Sequence, residues 1–150
     1  MERGQNNQTD ASGNQPAEIL SRERMEAVCR ACIQYLETSK RYRVPDYCLW
    51  QLAHETGISQ KIVSASINRY MGRNFFEFIN RIRLEDVKRL LRKAAKNNQK
   101  INVDEIGAQS GFSSRSNFFM RFARYEGMTP KKYMSLYNSE SDSDCKQNNL

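Results

Sequence analysis

A pattern that occurs twice along the chain limits the possible folds more than any other feature of the sequence. Its first part is matched 54 positions later, and its second part, after one inserted residue, 55 positions later. Each copy has a short apolar-periodic run, a glycine, a serine suited to cap a helix, and a longer apolar-periodic run, which predicts a helix-turn-helix unit. The matched residues are Leu52 with Ile106, Ala53 with Gly107, Gly57 with Gly111, Ile58 with Phe112, Ser59 with Ser113, Val63 with Phe118, Ile67 with Phe122, Tyr70 with Tyr125, Gly72 with Gly127 and Asn74 with Thr129.

The rest of the folded part also follows helical periodicity, and no segment alternates as a half-buried strand does. We therefore predict an all-α fold in which a long linker helix at 74–96 joins two helix-turn-helix subdomains at 46–72 and 102–127. Asn74 with Glu77, and Asn102 with Glu105, have the spacing of a capping box and mark two of the helix starts. The predicted helices cover residues 18–38, 46–57, 59–70, 74–96, 102–110, 114–125 (capped by Ser113 or Ser114) and a last one from 129.

Composition separates the two ends of the chain from its middle. Asn, Gln, Ser and acidic residues dominate the ends, which predicts disordered tails at 1–17 and 138–150 around a folded domain at 18–137. From Lys40 to Lys132 the chain has 19 Lys or Arg against 8 Asp or Glu, within a total net charge of +7. The positive charge therefore lies on the folded part, which favours a polyanionic partner.

The second helix of each unit is predicted to bury one face and expose the other. At about 100° per residue, Phe118, Phe122 and Tyr125 point inward, as do Val63, Ile67 and Tyr70 in the first unit. Such a helix can enter a major groove of double-stranded DNA with its outer face. The candidate DNA-binding residues on or beside the outer faces are Lys61, Ser64, Ala65, Asn68, Arg69, Arg115, Ser116, Phe119, Met120, Arg121 and Arg124.

These outer residues suit different parts of a duplex. Lys61 and Asn68 can hydrogen-bond to base edges, and Arg115 lies at the helix start, where bases are usually contacted. Phe119 and Met120 offer apolar contact, for example to thymine methyl groups, whereas Arg121 and Arg124 flank the outer face within reach of phosphates.

The linker helix is long enough to serve both recognition helices. At about 1.5 Å per residue, 74–96 spans roughly 34 Å, which is similar to one turn of B-DNA. One molecule can therefore place the helices at 59–70 and 114–125 in successive major grooves. We expect a monomer on DNA, unless the chain belongs to a longer dimeric regulator.

The segment GFSSRSNFFMRFARYEGMTP, residues 111–130, resembles the signature of the AraC/XylS transcription regulators. The shared positions are Gly111, Phe112, Ser116, Phe118, Phe122, Gly127, Thr129 and Pro130. Two upstream stretches, LAHETGIS and FFEFINRIRLEDVKRLL, are similar to the other half of that family's domain, so that the resemblance covers residues 20 to 136.

This resemblance implies a seven-helix fold of two helix-turn-helix subdomains that binds DNA to control transcription. The family's base-reading positions correspond to Lys61, Ser64, Ala65, Arg115, Ser116 and Met120. Arginine is common in similar proteins at the places of Ala65 and Met120, so we expect weaker base readout there. Lysine is usual at Ala123 and alanine at Gly107, which implies weaker binding by the second unit or a looser first helix in it.

Several further residues allow more than one interpretation. Cys29, Cys32, Cys48 and His54 could be written as a zinc site, but Cys29 and Cys32 lie on the apolar stripe of the first helix and are expected in the core. Trp50 is expected to be a buried or half-buried anchor. Arg81 and Arg83 could contact phosphate or lie on a solvated or salt-bridged face of the linker helix, and Lys88, Arg89, Arg92 and Lys93 are expected on a solvated face.

The alternative function is a helical protein-interaction module that docks a partner through the apolar patch near Phe119 and Met120. No catalytic constellation is recognisable, so we expect no enzyme activity, no cofactor and no metal. RNA polymerase is a candidate second partner. The absence of a long apolar run or a signal peptide predicts a cytoplasmic location, either as a small stand-alone regulator or as the output domain of a longer protein.

Overall fold

Seven α-helices and one short 3-10 helix make up the part of the chain that the computed structural model describes, residues 20–143. No strand occurs within these residues, and the predicted all-α fold is confirmed. The helices are α1 (Arg22–Ser39), α2 (Leu49–Thr56), α3 (Gln60–Met71), α4 (Phe75–Lys96), α5 (Val103–Gln109), α6 (Arg115–Glu126) and α7 (Pro130–Ser143), with the 3-10 helix (Arg41–Arg43) between α1 and α2.

Side-chain caps set the starts of the recognition and linker helices. The Ser59 hydroxyl accepts a hydrogen bond from the backbone N–H of Ile62, and Asn74 accepts one from that of Glu77. Of the two serines that could cap α6, the structure selects Ser114, which accepts a hydrogen bond from the N–H of Asn117. These bonds satisfy N–H groups that would otherwise have no partner in the first helical turn.

Three boundaries differ from the prediction. α1 begins only after its Ser21 cap, and α2 begins at Leu49 because residues 44–48 form a turn in which the N–H of Tyr47 donates to the Val44 carbonyl. The 3-10 helix was not predicted. α7 continues through Ser143, so it runs into the segment predicted as a C-terminal tail, whereas the N-terminal tail and residues 144–150 lie outside the described part of the chain.

The helices enclose two apolar cores, one for each helix-turn-helix unit. The first combines α1, α2 and α3 with Phe78 and Ile79 from the beginning of α4. The second combines α5, α6 and α7 with Leu84, Val87 and Leu91, which lie further along α4. α4 is therefore a structural member of both cores, and a rotation of one unit relative to the other would disturb its packing.

A buried guanidinium marks the place where α4 passes from one core to the other. Arg83 is 5% exposed, and it donates hydrogen bonds to the carbonyls of Tyr42 (2.7 Å), Val44 (2.8 Å) and Pro45 (3.0 Å). Burial lowers the pKa of Arg83 to about 10, which leaves it charged at neutral pH. Arg83 thus neither contacts a phosphate nor lies on a solvated face, because it is needed to satisfy the turn after α1.

The second unit touches the same place through Gly111. A Cβ atom on Gly111 would lie 2.6 Å from the Tyr42 carbonyl oxygen and 2.8 Å from Nε of Arg83, and the glycine has a φ of 99°. Any other residue would be strained there and would collide with backbone. The turn between α5 and α6 is thereby held against the first unit, and we call Arg83, Gly111 and the carbonyls of Tyr42, Val44 and Pro45 the joint.

Two ion pairs lie beside the joint. Asp86, whose side chain is 2% exposed, accepts hydrogen bonds from Arg43 (2.9 and 3.1 Å) and from Arg89 (2.6 Å). Burial acts to raise the pKa of Asp86, but the bonds from Arg89 and Arg43 outweigh it, so the pKa lies below its ordinary value. The carboxylate ties the 3-10 helix to α4.

Gly107 has a packing role within the second unit. A Cβ atom at this position would lie 2.6 Å from Cδ1 and 2.9 Å from Cγ of Phe118, a ring that is 1% exposed. The ring occupies the space of the missing side chain, so α5 and α6 approach closely. The family resemblance suggested that Gly107 would loosen α5. The position of the Phe118 ring instead requires a glycine there.

We predict that Gly107→Ala lowers the free energy of unfolding by about 1–3 kcal/mol, because the added methyl overpacks the core. Helix propensity alone predicts the opposite sign, a gain of about 1 kcal/mol. Denaturant unfolding followed by circular dichroism measures the change. Gln109→Ala, at an exposed position of the same helix, is the control and should have little effect; a Gly107→Ala protein as stable as wild type would refute the packing.

A second prediction concerns acid stability. Because the folded pKa of Asp86 is lowered, its contribution is present above the unfolded pKa of about 3.9 and is lost as pH falls through the folded value. Asp86→Asn should lower the free energy of unfolding by about 1–3 kcal/mol at pH 7. The difference between wild type and variant should shrink as pH falls below the unfolded pKa.

The matched control for this measurement is Glu85→Gln, which removes an exposed carboxylate one residue away. Its effect should be small at every pH, since exposed ion pairs contribute little. A difference in unfolding free energy between wild type and Asp86→Asn that does not change with pH would contradict the pairing of Asp86 with Arg43 and Arg89.

Candidate nucleic-acid interface

The first recognition helix, α3, presents a polar outer face. Its inner residues Val63 and Ile67 are fully buried, as predicted, and Tyr70 is half-buried. On the other side Lys61, Asn68 and Arg69 are exposed, whereas Ser64 and Ala65 are half-buried. The Asn68 side-chain amide donates a hydrogen bond to the Ser64 hydroxyl at 3.3 Å, which orients the two groups together on the outer face.

The second recognition helix, α6, buries Phe118 and Phe122 and half-buries Tyr125, again as predicted. Its outer face is less polar than that of α3. Met120 is 60% exposed there, whereas Phe119 is half-buried with its ring against Phe118. Met120 is thus the freer of the two apolar side chains, and Phe119 is partly a core residue. Arg115, Ser116, Ala123 and Arg124 are all exposed.

Arg115 is exposed but already held by its neighbours. Its Nε donates to both carboxylate oxygens of Asp104, at 2.9 and 3.0 Å, and its Cζ lies 4.6 Å from the centre of the Phe119 ring. Asp104 belongs to the first turn of α5 and was not among the predicted site residues. No spacing rule connects it with Arg115, because the pair forms only when α5 and α6 cross.

Arg121 is also engaged by the protein. Its Nε donates to the Asn117 side chain at 2.8 Å, and its guanidinium lies 4.3 Å from the ring centre of Phe76 at the start of α4. Arg81 lies over Tyr125 at 5.8 Å in a similar way. The contact with Phe76 gives Arg121 a role in packing α6 against α4 that the sequence did not indicate, and the contact of Arg81 with Tyr125 joins the same two helices.

Trp50 was predicted to be a buried or half-buried anchor, and this was wrong. It is 60% exposed and stacks on His54, with ring centres 5.2 Å apart and planes 6° apart. Trp50 lies in the first turn of α2, at the position that Asp104 occupies in the second unit. Both side chains are exposed, and that of Asp104 contacts Arg115 at the start of α6.

The cysteines of α1 are core residues, as predicted. Cys29 and Cys32 are almost fully buried, and burial raises the pKa of the Cys32 thiol to about 11. Cys48 is exposed at the start of α2. Within the side chains that the structure describes, residues 20–137, no three His, Cys, Asp or Glu lie close enough together to hold a metal ion.

The basic run on α4 contributes less free charge than its sequence implies. Lys88 is half-buried and bridges Glu85 (3.2 Å) and Glu126 (3.0 Å), so it joins α4 to the end of α6, and Arg89 is paired with Asp86. Lys88 therefore departs from the predicted solvated face. None of the described helices is both long and apolar enough to cross a membrane.

The two helix-turn-helix units share one linker helix, and each unit exposes the outer face of one recognition helix. Comparisons with known proteins identify the family that has this architecture. The profile of a helix-turn-helix domain matches residues 52–135. An uncharacterised HTH-type transcriptional regulator of Staphylococcus aureus (strain COL) is 28% identical over 115 residues, which are 77% of this chain and 14% of that protein. The chain thus spans about a seventh of the length of that relative.

Two solved structures share the fold. The C-terminal domain of AraT, a response regulator from Geobacillus stearothermophilus, is 24% identical with a TM-score of 0.59, over 79% of this chain and 88% of that one. A transcriptional regulator from Chromobacterium violaceum with an AraC-type DNA-binding domain is 17% identical with a TM-score of 0.63, over 75% of this chain and 93% of that one.

Because the matched region is more than half of the sequence, the chain belongs to the AraC-type helix-turn-helix family. The class that this fold defines is that of AraC-type DNA-binding domains.

Proposed function

We propose that one molecule inserts α3 and α6 into successive major grooves on one face of a duplex and so recognises a specific site as a monomer. The observation that carries this proposal is the joint. Arg83 and Gly111 fix the second unit against the first, so the two recognition helices form one rigid reading surface. Preorganised contacts of this kind reduce the entropy lost on binding.

In this arrangement α3 reads hydrogen-bonding groups of the bases. Lys61 is exposed in the first turn, and Asn68 lies two turns later on the same side with its amide oriented by Ser64. Lysine suits guanine and asparagine suits adenine in the major groove. Arg69, exposed beside them, is placed for a phosphate, and Ala65 leaves room for the groove wall without a polar contact of its own.

α6 reads a smaller set of groups. Arg115 and Ser116 at its start face base edges, and Met120 supplies apolar contact of the kind that a thymine methyl group accepts. Phe119 supports this face from beneath. Arg124 is exposed for a phosphate, whereas Arg121 can add charge there while it remains on Phe76. The second unit thus combines one arginine readout with shape and apolar contact.

A duplex-binding measurement tests the proposal. Fluorescence anisotropy with labelled duplex should show affinity that falls with salt, with a log-log slope of about −0.9 per phosphate contact. A site selected from a random pool should bind roughly 10³-fold more tightly than random duplex. Affinity that is independent of salt, or binding to a protein partner alone through the patch at Phe119 and Met120, would count against DNA recognition.

Single substitutions should separate base contacts from phosphate contacts. Lys61→Ala and Asn68→Ala should relax base preference at one position each, whereas Arg69→Ala and Arg124→Ala should weaken all duplexes alike and reduce the salt slope by about 1. Arg30→Ala, which removes one exposed charge on α1, is the control for net charge. Uniform losses for all four variants would contradict the assignment of bases to α3.

A further inference from the structure

The pair of Asp104 and Arg115 lies where α5 crosses the start of α6, in the unit that the proposed function places in a groove. Arg115 is 65% exposed in its side chain and Asp104 is 44% exposed. Exposed ion pairs contribute little to the stability of a fold. A carboxylate at Asp104 suits the first turn of α5, but the ion pair with Arg115 adds little to folding, so the geometry of the pair calls for another explanation.

The guanidinium of Arg115 uses only part of its hydrogen-bonding capacity in its contacts with the protein. Nε donates to both oxygens of Asp104, and Cζ lies 4.6 Å from the centre of the Phe119 ring. Among the described side chains of residues 20–137, the guanidinium of Arg115 makes its hydrogen bonds through Nε alone. Asp104 at Nε and the Phe119 ring thus hold the guanidinium in place. The terminal nitrogens, Nη1 and Nη2, remain as two parallel donors.

Two parallel donors match one base edge better than the others. Guanine presents two acceptors, O6 and N7, side by side in the major groove, whereas adenine presents one acceptor beside a donor. A guanidinium that is free to rotate can satisfy phosphates as readily as guanine. A guanidinium whose Nε is occupied and whose plane is held loses much of that freedom.

We propose that Asp104 is a positioning residue that restricts Arg115 to recognition of guanine at one base pair of the DNA site. This rests on the proposed function, since it requires α6 to face the major groove. Asp104 also places negative charge beside the arginine, which disfavours the approach of a phosphate to this guanidinium. Specificity then comes from both an attractive contact and a repulsive one.

The test compares duplexes that differ only at the base pair that depends on Arg115. Wild-type chain should prefer guanine there by about 5- to 150-fold, the range of a good bidentate contact. Asp104→Ala should reduce this preference by about fivefold or more, with thermal unfolding close to that of wild type. Adding Asp104→Ala to Arg115→Ala should change base preference no further, because a positioning residue acts only through its partner.

Glu105→Gln is the matched control. Glu105 is an exposed acid in the same first turn of α5, and its carboxylate bonds to Asn102 rather than to Arg115. The Glu105→Gln substitution removes one negative charge from the same surface as Asp104→Ala does, so this variant should keep the preference for guanine. If Asp104→Ala loses helix content, Asp104→Asn replaces it, since asparagine preserves the size of the side chain and removes the charged acceptor.

The possible failures are distinguishable. Wild-type chain that binds no duplex selectively would overturn the proposed function and this inference with it. Selective binding with equal preference in wild type, Asp104→Ala and Glu105→Gln would overturn the inference alone. A base other than guanine at the position that Arg115→Ala affects would do the same.

Discussion

The buried guanidinium of Arg83 is the interaction on which the rest of the structure depends. It satisfies the carbonyl groups of Tyr42, Val44 and Pro45 after α1, and this segment supports the glycine at which the second unit makes contact. A charge buried this deeply is stable only when its donors are bonded, so the turn and α4 cannot separate without a large cost. The two apolar cores on either side of Arg83 then keep a fixed relation to each other.

Each recognition helix has a buried inner face and an exposed outer face because it packs on one of these two cores. Phe118 and Phe122 anchor α6 in a core, and the close approach at Gly107 sets how deeply that helix sits. Arginines beside the aromatic face can then pack against the protein or turn toward a partner. Arg121 does the first on Phe76, and Arg115 is held for the second by Asp104. One helix thus serves both the core and the interface.

The repeated pattern was sufficient to predict the two units and their inner faces, because these depend on local spacing. It did not decide the cap of α6, since it aligns Ser59 with Ser113 whereas the structure uses Ser114. The joint could not be predicted in that way. Arg83 and Asp86 look like ordinary surface charges on a linker helix, and their burial depends on a turn about 40 residues earlier in the chain. Trp50 was misjudged by its aromatic character, although the repeat aligns it with Asp104, a residue whose charge favours an outward position.

Hydroxyl-radical footprinting of the chain on a selected duplex tests the central claim, that one molecule carries two recognition helices at a fixed separation. The account predicts two protected stretches on one face of the duplex, about 10 base pairs apart, at protein concentrations where one molecule is bound. A single protected stretch, or two stretches whose separation varies among equally tight sites, would contradict it.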